Sequence, residues 1–176
     1  MSYYTKDGNG GETSLFNGIR VPKDDPRIIT LGDLDELHSF LGWCRCICDS
    51  RLLASRIERI QHDLYLLCSE LARPAGAEDT YSFPTVNREH CSQLETWIDE
   101  ASEITGPINK FVIPGGTELA SRLHIARTCC RRAERSVVAL SRSVKVRAEV
   151  FIYLNRLSDL LFGWSCQVNR EGGVLD

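Results

Sequence analysis

Two long segments of the chain carry apolar residues at alternating spacings of four and three, a period that confines them to helices with one buried face. In the first, Leu119, Leu123, Ala126, Cys130, Ala133, Val137 and Leu140 share a stripe; in the second, Val150, Leu154, Leu157, Leu161, Trp164 and Val168 do. Three earlier segments follow the same rule. One should begin near Pro26, which suits the first helical position after Asp24 and Asp25, and run to about Asp49. The next carries Leu53, Ile57, Ile60, Leu64, Leu67 and Leu71, then stops at Arg73-Pro74-Ala75-Gly76, with a polar loop to about Pro84. The third should run from about Val86 to Thr105, with Leu94, Trp97, Ala101 and Ile104 inward, until Gly106-Pro107 ends it. Strand signal is almost absent, and there are no repeats or low-complexity stretches. Long amphipathic helices with short joints imply an all-α fold, a five-helix antiparallel bundle over residues 25–170. At 176 residues and 43% hydrophobic, residues 1–176 form a single domain able to bury a core.

Charge and cysteine placement narrow the function classes. A net charge of −3 with locally clustered arginines argues against a nucleic-acid partner. No apolar run is long enough to cross a bilayer, and the N-terminus lacks a signal peptide's apolar core, so a soluble, cytoplasmic protein without a membrane partner is expected. A mitochondrial location stays open if the source is eukaryotic. Eight cysteines suggest a disulfide framework only until they are placed. Cys44 and Cys48 continue the stripe Leu34, Leu37, Leu41, and Cys130 sits in the stripe above, where a thiol acts as a small core hydrophobe. Cys44-x-Cys46-x-Cys48 is no zinc spacing, because on a helix Cys46 points away from the other two. Reduced, mostly buried thiols are expected.

Polar residues beside the stripes suggest a ligand. His124, Arg127, Arg131 and Glu134 each follow a stripe position by one residue, as do Asn155, Ser158 and Phe162 on the last helix. Cations, an amide and a hydroxyl along a packed seam suit a polyanion, with phosphate the obvious candidate. Ordinary Arg–Glu pairing on a solvated face would give the same spacing. A second anion-suited region lies in residues 1–24, where Lys6, Gly8, Gly10, Gly11, Thr13 and Ser14 precede Arg20 and Lys23. Glycines let backbone N–H groups approach phosphate, although a frayed terminus has a similar composition. This leader is not a Walker A loop, since no Gly-Lys-Ser/Thr closes it.

Taken in order, six segments resemble the PduO-type ATP:cob(I)alamin adenosyltransferases. They are Thr5-Lys6-x-Gly8…Thr13-Ser14-Leu15-Phe16, Lys23-Asp24-Asp25, Gly32-x-x-Asp35-Glu36-Leu37, Phe111-Val112-Ile113-Pro114-Gly115-Gly116, Cys130-Arg131-Arg132-Ala133-Glu134-Arg135 and Leu154-Asn155-Arg156-Leu157-Ser158-Asp159. The resemblance implies transfer of the 5′-deoxyadenosyl group of ATP to cob(I)alamin, giving adenosylcobalamin and triphosphate. It implies a homotrimer whose active sites lie between subunits, with the leader of one chain (residues 1–24) as nucleotide loop. ATP or its Mg²⁺ would be contacted by Thr5, Lys6, Asp7, Gly8, Thr13, Ser14, Lys23, Arg131, Arg132, Glu134, Arg135 and Asn155. Phe111 and Val112 would wall the corrin, with Phe111 excluding a lower axial ligand, and Phe111, Arg131 and Asn155 would carry catalysis. Mg²⁺ would be held through ATP, with Glu134 the one protein carboxylate offered, and Asp35 and Arg127 would pair across the subunit boundary. A reductase supplying cob(I)alamin and an adenosylcobalamin-dependent enzyme would be its partners.

The silences of the sequence suit that chemistry. Reduced cobalt is itself the nucleophile, so no Ser–His pair or activated cysteine is needed, and none is evident. Three features depart from the family pattern. Asp7-Gly8-Asn9-Gly10-Gly11 replaces a loop that usually carries another lysine and carboxylate, and His38 stands where an asparagine is usual. His38 could ligate cobalt, but a hydrogen-bonding role suits it better. The tail Gly163-Trp164-Ser165-Cys166 is unusual without a functional reading. Two rival functions are a ferritin-like metal oxidase and a non-catalytic ATP- or cobalamin-binding chaperone or regulator. No histidine has a glutamate three residues earlier, which disfavours the oxidase. A phenylalanine in the place of Phe111 is, taken alone, more often a core aromatic than a cofactor gate.

Overall fold

Helices begin where the sequence supplies an acceptor for their unpaired N–H groups. The computed structural model describes residues 3–4, 6–16, 18–73 and 84–174. Its helices are α1 (Pro26–Cys46), α2 (Arg51–Leu71), α3 (Arg88–Thr105), α4 (Glu118–Leu140) and α5 (Ala148–Glu171). Asp25 accepts from Arg27 N at 2.8 Å just before Pro26, and Ser50 accepts from Leu53 N at 3.3 Å. Asn87 accepts from Glu89 N at 3.0 Å, which starts α3 two residues later than the apolar pattern suggested. Thr117 caps α4 through Ala120 N at 3.2 Å. No side chain caps α5; Arg147, at its N-cap, instead grips Glu70 of α2 at 2.7 and 2.9 Å. α1 ends three residues earlier than expected, at Cys46, and Ile47 follows it.

Short joints after α1 and α4 fold those helices back on α2 and α5 as antiparallel pairs. α4 packs against both α1 and α5, and α3 covers another side of α5. The expected stripes meet in the core. Ala126, Cys130, Ala133, Val137, Leu154, Leu157 and Leu161 are all fully buried, while Leu119 and Val168 pack at its margin. Ile104 departs from expectation at 43% exposed. It lies in the last turn of α3, where the neighbouring Thr105 and Gly106 line an open cleft instead of the core.

The leader holds a hairpin that the sequence pattern did not announce. β1 (Glu12–Ser14) pairs antiparallel with β2 (Arg20–Pro22), Thr13 facing Val21. Three-residue strands are too short to leave a period, and the turn depends on backbone bonds: Leu15 N donates to Ile19 O at 2.8 Å and Gly18 N to Leu15 O at 2.9 Å. Gly18 takes φ +83°, a left-handed conformation that costs glycine little.

One polar group is buried deep in the bundle. The Tyr153 hydroxyl donates to Asp63 Oδ2 at 2.9 Å, with Tyr153 fully buried. His90 Nε2 and Arg59 Nε stand 3.7 and 3.8 Å from Asp63 Oδ1. Burial pushes the Asp63 carboxyl up, against the lowering effects of the Tyr153 hydrogen bond and the charges of His90, Arg59 and His62. Burial, then the nearby Asp63 charge, holds the Tyr153 phenol well above its ordinary value. Tyr153→Phe strands a buried carboxylate oxygen and should lower unfolding free energy by about 1–3 kcal/mol in denaturant titrations. Asp63 tests the opposite sign. With its folded pKa raised, the folded chain keeps this proton to higher pH than the unfolded chain, so stability falls as pH rises above the carboxylate range. Asp63→Asn keeps an acceptor for Tyr153 without the charge. Its melting temperature should therefore gain on wild type as pH rises from about 4, and parallel curves would contradict this.

Candidate functional site

The seam between α4 and α5 opens toward α3 as a cleft of about 560 Å³. α4 supplies Arg127 and Arg131, α5 supplies Ser158, Asp159 and Phe162, and Ile98, Ser102 and Thr105 of α3 form the far wall. A second compartment, of about 540 Å³, shares Ile108, Arg127 and Phe162 with the first and adds Phe111, Val112 and His124. The two adjoin at these shared residues, Arg131 lining the first and Phe111 and Val112 the second.

Helical geometry sorts the four arginines expected at this site. Arg127 and Arg131 stand one turn apart and face the cleft. The Arg127 Nε is buried and makes no hydrogen bond among the described residues. An unspent buried donor beside an open cleft suits an anion. Arg131 is exposed, and its carbonyl accepts from Arg135 Nη1 at 3.1 Å, which holds Arg135 along the outer rim. Arg132 turns the other way. Its Nε donates to Asp33 Oδ1 at 3.1 Å, and its Nη2 also pairs with Glu36. Two carboxylates of α1 neutralise it, so Arg132 fastens α1 to α4 and does not face the cleft.

Glu134 and Asn155 come together at the upper edge. Asn155 Nδ2 donates to Glu134 Oε1 at 3.3 Å and its Oδ1 accepts from Arg156 Nη1 at 3.2 Å. Arg156 Nε reaches Glu95 at 3.0 Å, tying this edge to α3. Phe111 is fully exposed on the connector after α3, so the reading as a core aromatic does not hold; Val112 is half-buried. The connector is anchored by a residue that the sequence reading missed. Buried Asn169 of α5 accepts from Thr117 N at 2.9 Å and donates to Gly115 O at 3.0 Å. A Cβ on Gly116 would come within 2.2 Å of Asn169 Oδ1, so glycine is required there. The α3 wall was missed too, since only the Gly106-Pro107 stop hinted at it.

In the leader, Arg20 Nη2 donates to Asp7 O at 2.7 Å. Lys6 adopts φ +68°, uncommon for a residue with a Cβ, and Lys23 Nζ lies so near Gly8 that an added Cβ would approach it to 3.2 Å. Thr13 is half-buried and Ser14 exposed in β1. Lys6, Asp7, Gly8, Thr13, Ser14 and Lys23 are thus gathered in one small folded unit, but none of them lines the cleft of the same chain. Thr5 lies outside the described residues. Asp35 is exposed on α1, and it does not pair with Arg127 within a single chain.

His38 does not line the cleft either. Its ring packs on Tyr65 of α2 at 4.6 Å, and its Nε2 is buried without a hydrogen bond among the described residues. All eight cysteines are free. Burial pushes the Cys44 thiol up to about 12 and, with the Asp35 charge, that of Cys68 to about 11. Both stay protonated at neutral pH and are poor nucleophiles. Cys48 lies half-buried just beyond the end of α1 and packs against the core margin as the stripe implied, its thiol donating to Ser50 O at 3.4 Å.

Comparison with known proteins follows this geometry. The family profile described as Cobalamin adenosyltransferase matches residues 3–168. The corrinoid adenosyltransferase PduO of Salmonella typhimurium is 41% identical over 162 residues, covering 92% of this chain and 48% of the relative. The chain thus spans about half the length of that relative. A corrinoid adenosyltransferase of Bacillus subtilis is 39% identical over 180 residues, covering 100% of this chain and 91% of the relative. Among solved structures, a variant of a PduO-type ATP:corrinoid adenosyltransferase from Lactobacillus reuteri, complexed with cobalamin and ATP, is similar with TM-score 0.93. It shares 36% identity and covers 98% of this chain and 96% of its own.

The division among the arginines can be measured without substrate. Arg132→Ala should lower stability by about 1 kcal/mol by releasing α1 from α4, whereas Arg131→Ala should stay within about 0.5 kcal/mol of wild type. Equal losses in urea titrations would contradict the division.

Proposed function

The chain belongs to the cobalamin adenosyltransferase family, and on that premise we propose that it transfers the 5′-deoxyadenosyl group of ATP to cob(I)alamin. The observation that carries this reading is that the two compartments share Ile108, Arg127 and Phe162. Arg127 and Arg131 stand at one end and exposed Phe111 with Val112 at the other, with Phe162 and Arg127 shared between them. A triphosphate at the cationic end and a corrin beside the apolar connector would bring ribose and cobalt together between them. Cobalt(I) then attacks C5′ with its electron pair, the C5′–O5′ bond breaks, and that bond's electrons leave on the triphosphate. The protein's work is to position the two substrates and to stabilise charge growing on the leaving group. Arg131 and Arg135 supply cationic donors for that charge, while Arg127 meets the Asp35 of a neighbour.

Asn155 and Glu134 complete the nucleotide end. Magnesium keeps most of its water and phosphate ligands and accepts one or two carboxylates, a role that half-buried Glu134 suits. Bound there, Mg²⁺ would shield the triphosphate's charge. Phe111, with no polar atom to offer, would deny the lower face of the corrin an axial donor and so make cobalt easier to reduce.

The leader hairpin carries Lys6, Gly8 and Lys23 outside its own chain's cleft, and Asp35 and Arg127 are separate within one chain. Both facts favour a homotrimer in which each leader, and each Asp35, serves the cleft of a neighbour. No described helix is long and apolar enough to cross a membrane, in keeping with a cytoplasmic enzyme fed by a cobalamin reductase and feeding an adenosylcobalamin-dependent enzyme.

Purified protein given ATP, Mg²⁺ and chemically reduced cobalamin should produce a light-sensitive alkylcobalamin spectrum in a single turnover. Binding of both substrates without that spectrum would favour a non-catalytic carrier. Arg131→Ala should cut kcat/KM by about 100-fold, the scale for losing one donor to a charged transition state. Phe111→Ala should change KM for ATP by less than about two-fold while slowing alkylation from cob(II)alamin under a fixed reductant. Sedimentation should report three chains per particle, and a fully active monomer would exclude the shared cleft.

A further inference from the structure

A third compartment adjoins the other two. It measures about 290 Å³ and is walled by Ile108, Lys110, Val112, Cys166, Arg170 and Val174. It shares Ile108 with both larger spaces, and Lys110 and Val112 with the one beside Phe111. Val112, Cys166 and Val174 give it an apolar floor, and Lys110 and Arg170 supply two cations. Arg170 is fixed in direction, because Nη1 donates to Thr105 O at the end of α3. A guanidinium has five N–H donors, so this bond leaves others to face the compartment.

We propose that this compartment receives the phosphodiester and displaced base of the corrinoid's nucleotide tail. The inference rests on the reading of the main cleft as the corrinoid site. A complete corrinoid carries, on a flexible tail, the base that would otherwise sit beneath cobalt. With Phe111 against the lower face, that base is displaced and its tail must leave on the side where Phe111 stands. The connector that presents Phe111 also forms one wall of the third compartment, through the adjacent residues Lys110 and Val112. The tail bears one negative charge, on a phosphodiester, between a sugar and an amide-linked arm. Lysine and arginine match that charge, arginine with paired donors, and the apolar floor matches the flat base. The large cleft takes the parts common to all corrinoids, and the small one discriminates complete from incomplete ones.

Cobalamin and cobinamide differ in this tail, so together they isolate it. Wild type, Lys110→Gln and the Lys110→Gln/Arg170→Gln double variant are titrated with cob(II)alamin and with cob(II)inamide, ATP and Mg²⁺ present, following the corrinoid absorption. In the double variant the Kd for cob(II)alamin should rise about three- to ten-fold, the scale for exposed charge contacts, and that for cob(II)inamide should stay within about two-fold. Arg170→Lys should recover part of the difference. Lys110→Gln alone should give a smaller shift of the same selectivity, without disturbing the Arg170–Thr105 contact between α5 and α3. An equal rise for both corrinoids, or no rise for cob(II)alamin, overturns the tail site. A rise in KM for ATP would assign the two cations to the triphosphate and overturn it as well. If wild type binds neither corrinoid, the main cleft's reading falls and takes this one with it. Equal wild-type affinity for the two compounds with catalysis intact sinks the tail site alone.

Discussion

Small side chains let α4 and α5 approach closely, and the site is built on that contact. Ala126, Cys130 and Ala133 on α4 are fully buried against Leu154, Leu157 and Leu161 of α5. The Cys130 thiol even donates to Leu154 O at 3.3 Å, a distance that a bulkier side chain would forbid. Arg131, Glu134 and Asn155, proposed to grip the nucleotide, each lie one step past a stripe position. Their separation across the cleft is therefore fixed by how tightly the stripes pack, since protein interiors yield little. Burial drives the Cys130 thiol pKa strongly upward, so the residue at the centre of the seam is chemically inert and serves packing alone.

The helical rotation of about 100° per residue separates chemistry from architecture among neighbouring charges. Arg131 opens on the cleft, Arg132 locks onto Asp33 and Glu36 of α1, and Arg135 returns to the rim one turn on. Ser136 adds to the lock, donating to Asp33 Oδ2 at 2.5 Å. An uncompensated pair of cations on one cleft face would repel. Tying Arg132 to two carboxylates keeps its charge out of that sum.

What could be read from the sequence, and what could not, follows from the range of each interaction. The five helices, the stripes and the edge positions of Arg127, Arg131, Glu134, Asn155 and Phe162 depend on spacing along one segment, so they were legible. The pairing of Arg132 with Asp33 and Glu36 was not legible, because adjacency in sequence does not reveal direction until a partner helix is known. Ile104 was placed inward because the stripe gives no warning of where a covering helix ends. The hairpin of β1 and β2 is held by backbone bonds between residues as dissimilar as Thr13 and Val21, which leave no periodic trace. The leader's separation from its own chain's cleft, and of Asp35 from Arg127, depends on how distant segments pack, which no local spacing encodes.

Asn169 shows how a remote side chain can govern the exposed connector. It sits on α5, buried, and bonds both Thr117 N and Gly115 O, so the start of α4 and the end of the connector are fixed to the same helix. The tight turn needs Gly116 at φ +96°, where a side chain would meet Asn169 itself. Phe111 lies only a few residues upstream, before Pro114, whose ring limits the backbone's freedom. An exposed phenylalanine at the tip of a loosely held loop would fold back onto apolar surface. Held at its far end by a buried amide and stiffened by proline, the connector can keep an aromatic ring in water until a flat apolar partner covers it.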